Sequence, residues 1–339
     1  MRWYGLLEEA GPYHNPKYLE MLAGEFEYDS EYAELFIYGD ETEFIYYPYV
    51  RRPLSDLSFA DDALKDPESF SDIVSSWYYG GPLLSDAADE SIVTEFVKAF
   101  SSYCKREGIV GEFIRFDPNL QNHADFGVLD PQYNRQTVPV DLTQSKDEVW
   151  EGYEDRNKRA IKQARRSKLT IDREPNKEDI VGFHGIYSNA MEARDADEHY
   201  RFPLNYFQRL LDSSLFSLIV ARYEDNLVGG FIIAHDENIG HHYLSASNPD
   251  YWDYRVNNLM YHDAVMYMQE TGRNIFDFQG GRPGVFNFKK GFSPDRRDFH
   301  IASRVHRPDT YDTLVETAFR NGIDTESGYF PAYRPEQSN

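Results

Sequence analysis

A mostly apolar, strand-like run extends from Ala33 to Tyr38, breaks at the polar turn Gly39-Asp40-Glu41-Thr42, and a second extends from Glu43 to Val50. Two short apolar and aromatic runs on either side of a polar turn predict a β-hairpin. The signature returns at Leu215 to Arg222, Glu224-Asp225-Asn226 and Leu227 to Ala234. Farther along, each half has an amphipathic stretch closed by glycine and followed by an aromatic strand. These are Ser91 to Glu107, Gly108 and Gly111 to Phe116 in the first half. In the second they are Asn258 to Glu270, Gly272 and Asn274 to Phe278. Glycine just past the last helical residue is a stop, because it accepts the left-handed conformation there. Hairpin, helix and strand occurring twice predict two related α/β units of mixed sheet flanked by helices. The boundary is expected in the extended segment Pro139 to Thr143, giving domains 1–140 and 141–339. Ser145-Lys146-Asp147-Glu148 just beyond it has the form of a capping box opening a helix. No sustained heptads predict a long coiled-coil arm.

Composition narrows the picture. At 339 residues, 41% hydrophobic, the chain exceeds one ordinary core. No apolar run is long enough for a membrane span. Acid follows the first residues before any apolar stretch forms, so no secretory signal is expected. Cys104 is the single cysteine, which excludes internal disulfides and thiolate metal clusters and favours a cytoplasmic location. There are 58 acidic against 35 basic residues, a net charge of −23, and arginine (24) outnumbers lysine (11). The acids are spread along the whole chain, a pattern resembling cytoplasmic proteins of extreme halophiles, whose surfaces are screened by salt. This sign disfavours nucleic-acid binding over the whole surface.

Against that background, Arg156 to Lys168 stands out: seven cations in thirteen residues and no acid. Helical spacing groups Arg159, Lys162 and Arg166, with Ile161 and Ala164 in an apolar stripe. Such a face suits phosphate; the alternative is a solvated helix pairing with acidic neighbours. Gly240 to Ser247 is strand-like, and alternation puts His241, Tyr243 and Ser245 on one face and His242, Leu244 and Ala246 on the other. Adjacent strand histidines point opposite ways and no carboxylate motif accompanies them, so no metal is expected. Trp77-Tyr78-Tyr79-Gly80-Gly81-Pro82 is an aromatic turn, either a ligand platform or a piece of core. The absence of a nucleophile elbow leaves a covalent mechanism without support.

The richest segment runs from Phe276 to Phe292: Asp277-Phe278-Gln279-Gly280-Gly281 forms a polar, glycine-rich corner, and Phe288-Lys289-Lys290-Gly291-Phe292 follows. A lysine between phenylalanines is partly desolvated, so its charge acts strongly on its neighbours. The two motifs, in this order and spacing, resemble the C-terminal signature of FemAB-type peptidyltransferases and related GNAT-superfamily acyltransferases. The basic segment is similar to a basic helix of that family at Arg159, Ile161, Lys162 and Ala164, with Asn157 standing where the pattern has a cation.

The resemblance implies two tandem GNAT-like (acyl-CoA N-acyltransferase) domains with an acceptor groove between them. It implies transfer of an acyl or aminoacyl group to an amine, with Lys289 stabilising the carbonyl oxygen and Phe288 positioning it. Asp277 would orient the amine or take its proton, or else simply bond the glycine corner. Arg159 and Lys162 would hold phosphates; Tyr79, Gly80, Tyr243, Ser245 and Gln279 would contact substrate. After the Gly240 to Ser247 strand, an acyl-CoA enzyme of this superfamily would carry Arg/Gln-x-x-Gly-x-Gly/Ala, its glycines exposing amides to the pyrophosphate at a helix start. Here Arg255-Val256-Asn257-Asn258 keeps the arginine and lacks the glycines, leaving Arg255 and Asn257 as the cofactor-binding candidates. No cofactor is expected to be tightly bound; acyl-CoA or aminoacyl-tRNA would be co-substrate. The expected acceptor is an amine-bearing small molecule or nucleotide-linked sugar of cell-envelope or surface-glycan synthesis. The competing expectations are an acetyl-CoA-dependent N-acetyltransferase of a small amine or amino sugar, and a non-catalytic RNA-binding module.

Overall fold

The structure, a computed structural model, describes residues 2–23, 31–89, 91–196 and 200–335. The chain begins with α1 (Pro16–Leu22), β1 (Tyr32–Gly39), β2 (Phe44–Pro53), α2 (Ala60–Ala63), β3 (Ser71–Val74) and β4 (Leu83–Leu84). There follow α3 (Ser91–Arg106), β5 (Ile109–Arg115), β6 (Gln132–Thr137), β7 (Pro139–Asp141), α4 (Lys146–Glu151), α5 (Asp155–Arg166) and β8 (Leu169–Asp172). Next come α6 (Lys177–Glu192), α7 (Leu204–Asp212), β9 (Phe216–Tyr223), β10 (Asn226–His235), β11 (Ile239–Ser247) and α8 (Val256–Glu270). The last elements are β12 (Ile275–Asp277), α9 (Pro283–Lys289), β13 (Arg297–Val305) and α10 (Pro308–Arg320). Both predicted hairpins, both glycine-closed helices and the capping box at Ser145 are present, the last with Glu148 accepting the Ser145 N–H at 2.8 Å.

The chain forms two compact units. Unit 1 holds the described residues up to Arg135 and those from Asp298 on; unit 2 is Gln136–Arg297. This differs from the expected division into 1–140 and 141–339, because the C-terminal segment returns to unit 1. There β13 pairs antiparallel with β5, and Asp72 anchors residues beyond α10. The buried Asp72 carboxylate accepts from Arg52 Nε at 2.6 Å, Arg334 Nε at 2.7 Å and the Tyr333 hydroxyl at 3.0 Å. A pairing this remote along the chain leaves no mark in local periodicity.

The unit 1 sheet has the order β1-β2-β3-β5-β13-β6, with β4 beside β2. Val93, Phe96, Phe100 and Cys104 of α3, at helical spacing, bury one stripe against Tyr47, Tyr49 and Ile114. Truncating a ring such as Phe100 to alanine would cost about 3–5 kcal/mol.

The unit 2 sheet runs β7-β12-β11-β10-β9-β8. Its core joins Phe231 and Ile233 of β10 to Met260, Tyr261, Ala264 and Val265 of α8, with Ile161 and Ala164 of α5. The opposite face of β11 meets α7, where the hydroxyls of Tyr243 and Tyr206 are hydrogen-bonded. β11 pairs parallel with β12 over only three positions, Ile239↔Ile275, Gly240↔Phe276 and His241↔Asp277.

Candidate functional site

Past the His241↔Asp277 pair the two strands of unit 2 separate, and the chemistry-bearing residues gather at that divergence. β12 leaves along β7, with Phe278 N donating to Val138 O at 3.0 Å. The backbone then turns sharply. Asp277 Oδ1 accepts Gln279 N–H at 2.7 Å, Gln279 takes φ +62° and Gly281 φ +144°. The second of these is a region L side chains rarely enter, so glycine is needed there. Pro283 then opens α9, which carries Lys289 back under the corner to donate from Nζ to Gly280 O at 2.8 Å.

Lys289 is 4% exposed. Burial lowers its pKa to about 7, while the Asp277 carboxylate pulls in the opposite direction. Phe288 and Phe292 pack against each other and against Tyr261, with centroids 5.0–5.6 Å apart. Gly291 is required by space. A Cβ there would lie 2.7 Å from Asn157 Nδ2, and Gly291 O accepts Glu154 N–H at 2.9 Å where α5 begins. Lys290 is only partly buried, and its carbonyl accepts from Arg296 Nη2 at 3.1 Å. Asp277 is fully buried, and its Oδ2 lies 3.8 Å from His241 Nδ1.

On β11 the expected alternation fails. The register with β10 steps from Ile232↔Leu244 to Ile233↔His242, so Tyr243 is an extra residue, a β-bulge. The bulge brings Ser245 to the face of His242 rather than that of Tyr243. His242 Nε2 and Ser245 Oγ are 2.9 Å apart, and Ser245 Oγ is 3.4 Å from the Tyr261 hydroxyl. Tyr243 points away, packed on Phe216 and bonded to Tyr206. Ser245 is thus at the divergence and Tyr243 in the core behind it. Burial and the nearby Lys289 hold the His242 pKa well below its ordinary value, so the imidazole is neutral.

Beside the corner, α5, the start of α8 and α9 enclose a groove of about 640 Å³ lined by Arg156, Asn157, Arg159, Gln163, Arg255, Asn258, Asn287 and Phe288. Most of the basic helix is already engaged. Lys158 pairs with Glu151 at 2.8 Å, Arg156 with Glu154 at 2.7 Å, Lys168 with Glu224, and Arg165 bonds His262 at 2.7 Å. Lys162 lies over the Trp150 ring, 5.7 Å from its centroid, outside the groove. Arg159 lines the groove, and among the described residues it has no ion-pair partner. Arg255 holds left-handed backbone (φ +65°) at the N-cap of α8, which has no side-chain cap. Asn257 is turned to Ser247, accepting its hydroxyl at 2.8 Å, and Asn258 takes the place in the groove. Asn157 is 3% exposed; its Oδ1 accepts from Asn258 Nδ2 at 3.3 Å, and its Nδ2 has no hydrogen-bond partner. Buried donors are rarely left so, which makes this amide a candidate ligand contact.

Tyr79 and Gly80 belong to unit 1, where their bonding is internal. Tyr79 packs on Tyr13 and Phe299, and its carbonyl accepts from Ser76 Oγ. Gly80 N donates to Arg115 O at 2.8 Å, and Gly80 O accepts from Asn122 Nδ2 at 2.9 Å.

Among the predicted residues, the divergence in unit 2 brings together Lys289, Asp277, Gln279, Phe288 and Ser245, with Arg159 and Arg255 in the adjoining groove. Lys162, Asn257 and Tyr243 lie outside that set. His242, Tyr261, Asn157, Asn258 and Arg156 were not predicted. Asn157 left a trace in the sequence as the uncharged residue in a basic pattern, Arg156 as the first cation of that run and His242 as one of two adjacent strand histidines. Among the described residues no group of three or more His, Cys, Asp or Glu side chains is arranged to hold a metal ion, and no helix is long and apolar enough to cross a membrane.

This geometry coincides with a family match: residues 154–290 fit the acetyltransferase (GNAT) domain family. The matched segment contains the divergence and its groove, and the architecture is a mixed α/β one with two helix-flanked sheets. Among solved structures it is similar to FemX, at 14% identity over 83% of this chain and 90% of that one, with a TM-score of 0.60. It is also similar to the C-terminal domain of a putative lysylphosphatidylglycerol synthetase from Agrobacterium fabrum, at 13% identity over 91% and 92%, TM-score 0.55. A third likeness is to L-PGS from Bacillus licheniformis, at 13% identity over 84% and 88%, TM-score 0.50. At such identities these likenesses concern the fold. No curated protein matches the chain significantly in sequence.

Proposed function

We propose that the protein transfers an acyl or aminoacyl group from a phosphate-bearing donor to an amine, in the synthesis of a cell-envelope or surface-glycan precursor. The observation that carries this reading is the buried Lys289, held where β11 and β12 part and beside a groove containing the uncommitted Arg159. Amine attack on the donor carbonyl places charge on its oxygen. A cation kept in a desolvated site stabilises that charge without reorganisation, the largest single lever in acyl transfer. Asp277, fully buried and bonded to the Gln279 amide, holds the corner and favours the charged form of Lys289. Arg156, Arg159, Arg255 and the uncapped first turn of α8 receive the donor phosphates, since a helix N-terminus offers free amides and a positive end.

The match to an acetyltransferase family favours acyl-CoA as donor. The missing glycines in the first turns of α8 leave aminoacyl-tRNA as the other donor. A purely RNA-binding role is disfavoured, because most cations of α5 are paired within the protein. Calorimetric titration with acetyl-CoA, alanyl-tRNA and a nucleotide sugar tests the assignment. The expected result is that one donor binds in the groove and loses affinity in Arg159→Ala. Binding of none of the three to the unmodified protein would refute it.

A further inference from the structure

The transfer reaction leaves a proton to be accounted for. Attack of a neutral amine on a carbonyl gives a tetrahedral adduct whose nitrogen is cationic, and that nitrogen must lose a proton before the adduct collapses to amide. Asp277 is poorly placed to receive it, being fully buried behind the corner with Oδ1 bonded to Gln279 N–H. Lys289 cannot stabilise the oxyanion and act as base at the same moment.

We propose that His242 is the proton acceptor of the transfer, reached through the Ser245 hydroxyl, with Tyr261 positioning that hydroxyl. This rests on the acyl-transfer reading above. The bulge at Tyr243 is what makes the pair, since regular alternation would place His242 and Ser245 on opposite faces. His242 Nε2 lies 2.9 Å from Ser245 Oγ, and the Tyr261 hydroxyl lies 3.4 Å from Ser245 on its other side. The ring of His242 also hydrogen-bonds the backbone of Phe278, the first residue of the departing corner. With one ring nitrogen donating to that carbonyl, Nε2 is left with its lone pair toward Ser245. Tyr261 is itself clamped between Phe231, Phe278 and Phe288, with centroids 4.9, 5.3 and 5.0 Å away, which holds its hydroxyl beside Ser245. The shorter of the two contacts is to the imidazole, whose free lone pair is the acceptor for the serine proton.

The C–N bond forms as the amine attacks; an N–H proton passes to Ser245 Oγ while the Ser245 proton passes to His242 Nε2. The bond from the carbonyl carbon to the donor's leaving sulfur or oxygen then breaks with its electron pair, and the relay run backward delivers the proton to that atom. The products are an amide and a neutral thiol or hydroxyl. Imidazolium is formed only transiently, because its neighbour Lys289 and its burial both disfavour it. A weak base is sufficient, since the adduct nitrogen is far more acidic than a free ammonium. Serine acts here as a conduit and forms no bond to the acyl carbon.

The experiment uses the full chain with acetyl-CoA or alanyl-tRNA as donor and glucosamine as acceptor, and histidine-labelled protein for nitrogen NMR. The expected spectrum shows neutral His242 from pH 6 to pH 8 with Nε2 unprotonated, and Ser245→Ala shifts the Nε2 signal without changing the tautomer. His242→Ala should lose about a hundredfold in kcat at unchanged KM, and added imidazole should restore part of it. Tyr261→Phe, which keeps the packing, should lose less than about tenfold. If His242→Ala fails to fold, Ser245→Ala supplies the same kinetic test with a smaller change. A protonated Nε2 in the unmodified protein overturns the relay. So does full kcat in Ser245→Ala and His242→Ala, or a loss that imidazole leaves untouched while KM rises. No transfer by the unmodified protein, from either donor, is instead a failure of the proposed function.

Discussion

The same plan is built twice in this chain, and the two copies differ where it matters. In each, an antiparallel hairpin leads to a third strand with a parallel neighbour: β3 with β5 in unit 1, β11 with β12 in unit 2. In unit 1 the seam beyond the paired residues is sewn shut. Ser75 N donates to Phe113 O at 3.0 Å, Arg115 N donates to Ser75 Oγ at 2.8 Å, and Gly80 N donates to Arg115 O at 2.8 Å. In unit 2 the parallel pairing stops at His241↔Asp277, a bulge follows on β11, and β12 swings into the glycine corner. The aromatic turn Tyr79-Gly80 is therefore a closure in one copy, while the corner Gln279-Gly280 borders an opening in the other. At the closed seam of unit 1 the backbone groups satisfy one another, as buried amides and carbonyls require.

The difference is broken most severely at Lys289. Lys289→Ala should lower kcat about a hundredfold or more with donor affinity near normal, because the charge it meets exists only in the transition state. Lys290→Ala, whose side chain is only partly buried, should lose no more than a few-fold. Steady-state kinetics of the two variants decides it, and equal losses would reduce both residues to general positive charge.

A pH profile sharpens the same point. With its pKa lowered to about 7, Lys289 is charged below that pH and neutral above it. If the charged form does the work, kcat should fall as pH rises through about 7, approaching tenfold per unit. Lys289→Arg, which stays charged, should lose this limb. A rise through the same range would make Lys289 a base and not an oxyanion partner.

The two glycines at the seams offer a matched pair. A Cβ on Gly80 would stand 2.9 Å from Ser75 Cβ, and one on Gly291 2.7 Å from Asn157 Nδ2. Each alanine substitution should cost about 1–3 kcal/mol by overpacking, read as a lowered Tm. Only Gly291→Ala should also weaken donor binding, since Asn157 lines the groove. Loss of binding in Gly80→Ala would assign unit 1 a part in the donor site.

Smaller again is Arg159→Ala, expected to weaken the phosphate-bearing donor by about 1 kcal/mol, roughly fivefold. Lys162→Ala, with its ammonium over Trp150, should do less. Ionic strength should distinguish the copies least. With a net charge of −23 spread over the whole chain, circular dichroism should show structure lost in dilute buffer and regained in molar potassium chloride. Unchanged spectra would remove the salt-adapted reading.

Much of the fold could be read locally. Short apolar runs and polar turns located the hairpins, and helical periodicity closed by Gly108 and Gly272 located α3 and α8. Ser145 and Glu148 marked the start of α4. These features are written in residues within a few positions of one another, where backbone sterics and capping act. The candidate Lys289 was legible too, since flanking phenylalanines announce a desolvated lysine. Tertiary structure alone decided the rest. It returned β13 and Arg334 to unit 1, because strand pairing and a buried carboxylate reach across the chain. It also inserted Tyr243 as a bulge, so His242 and Ser245 share a face that alternation had denied them. And it engaged five of the seven cations with acidic or aromatic neighbours, left Arg166 exposed, and set Arg159 in the groove with no ion-pair partner among the described residues. Charge in a sequence says how many cations there are; only packing determines which of them are already neutralised, and so which remain for a ligand.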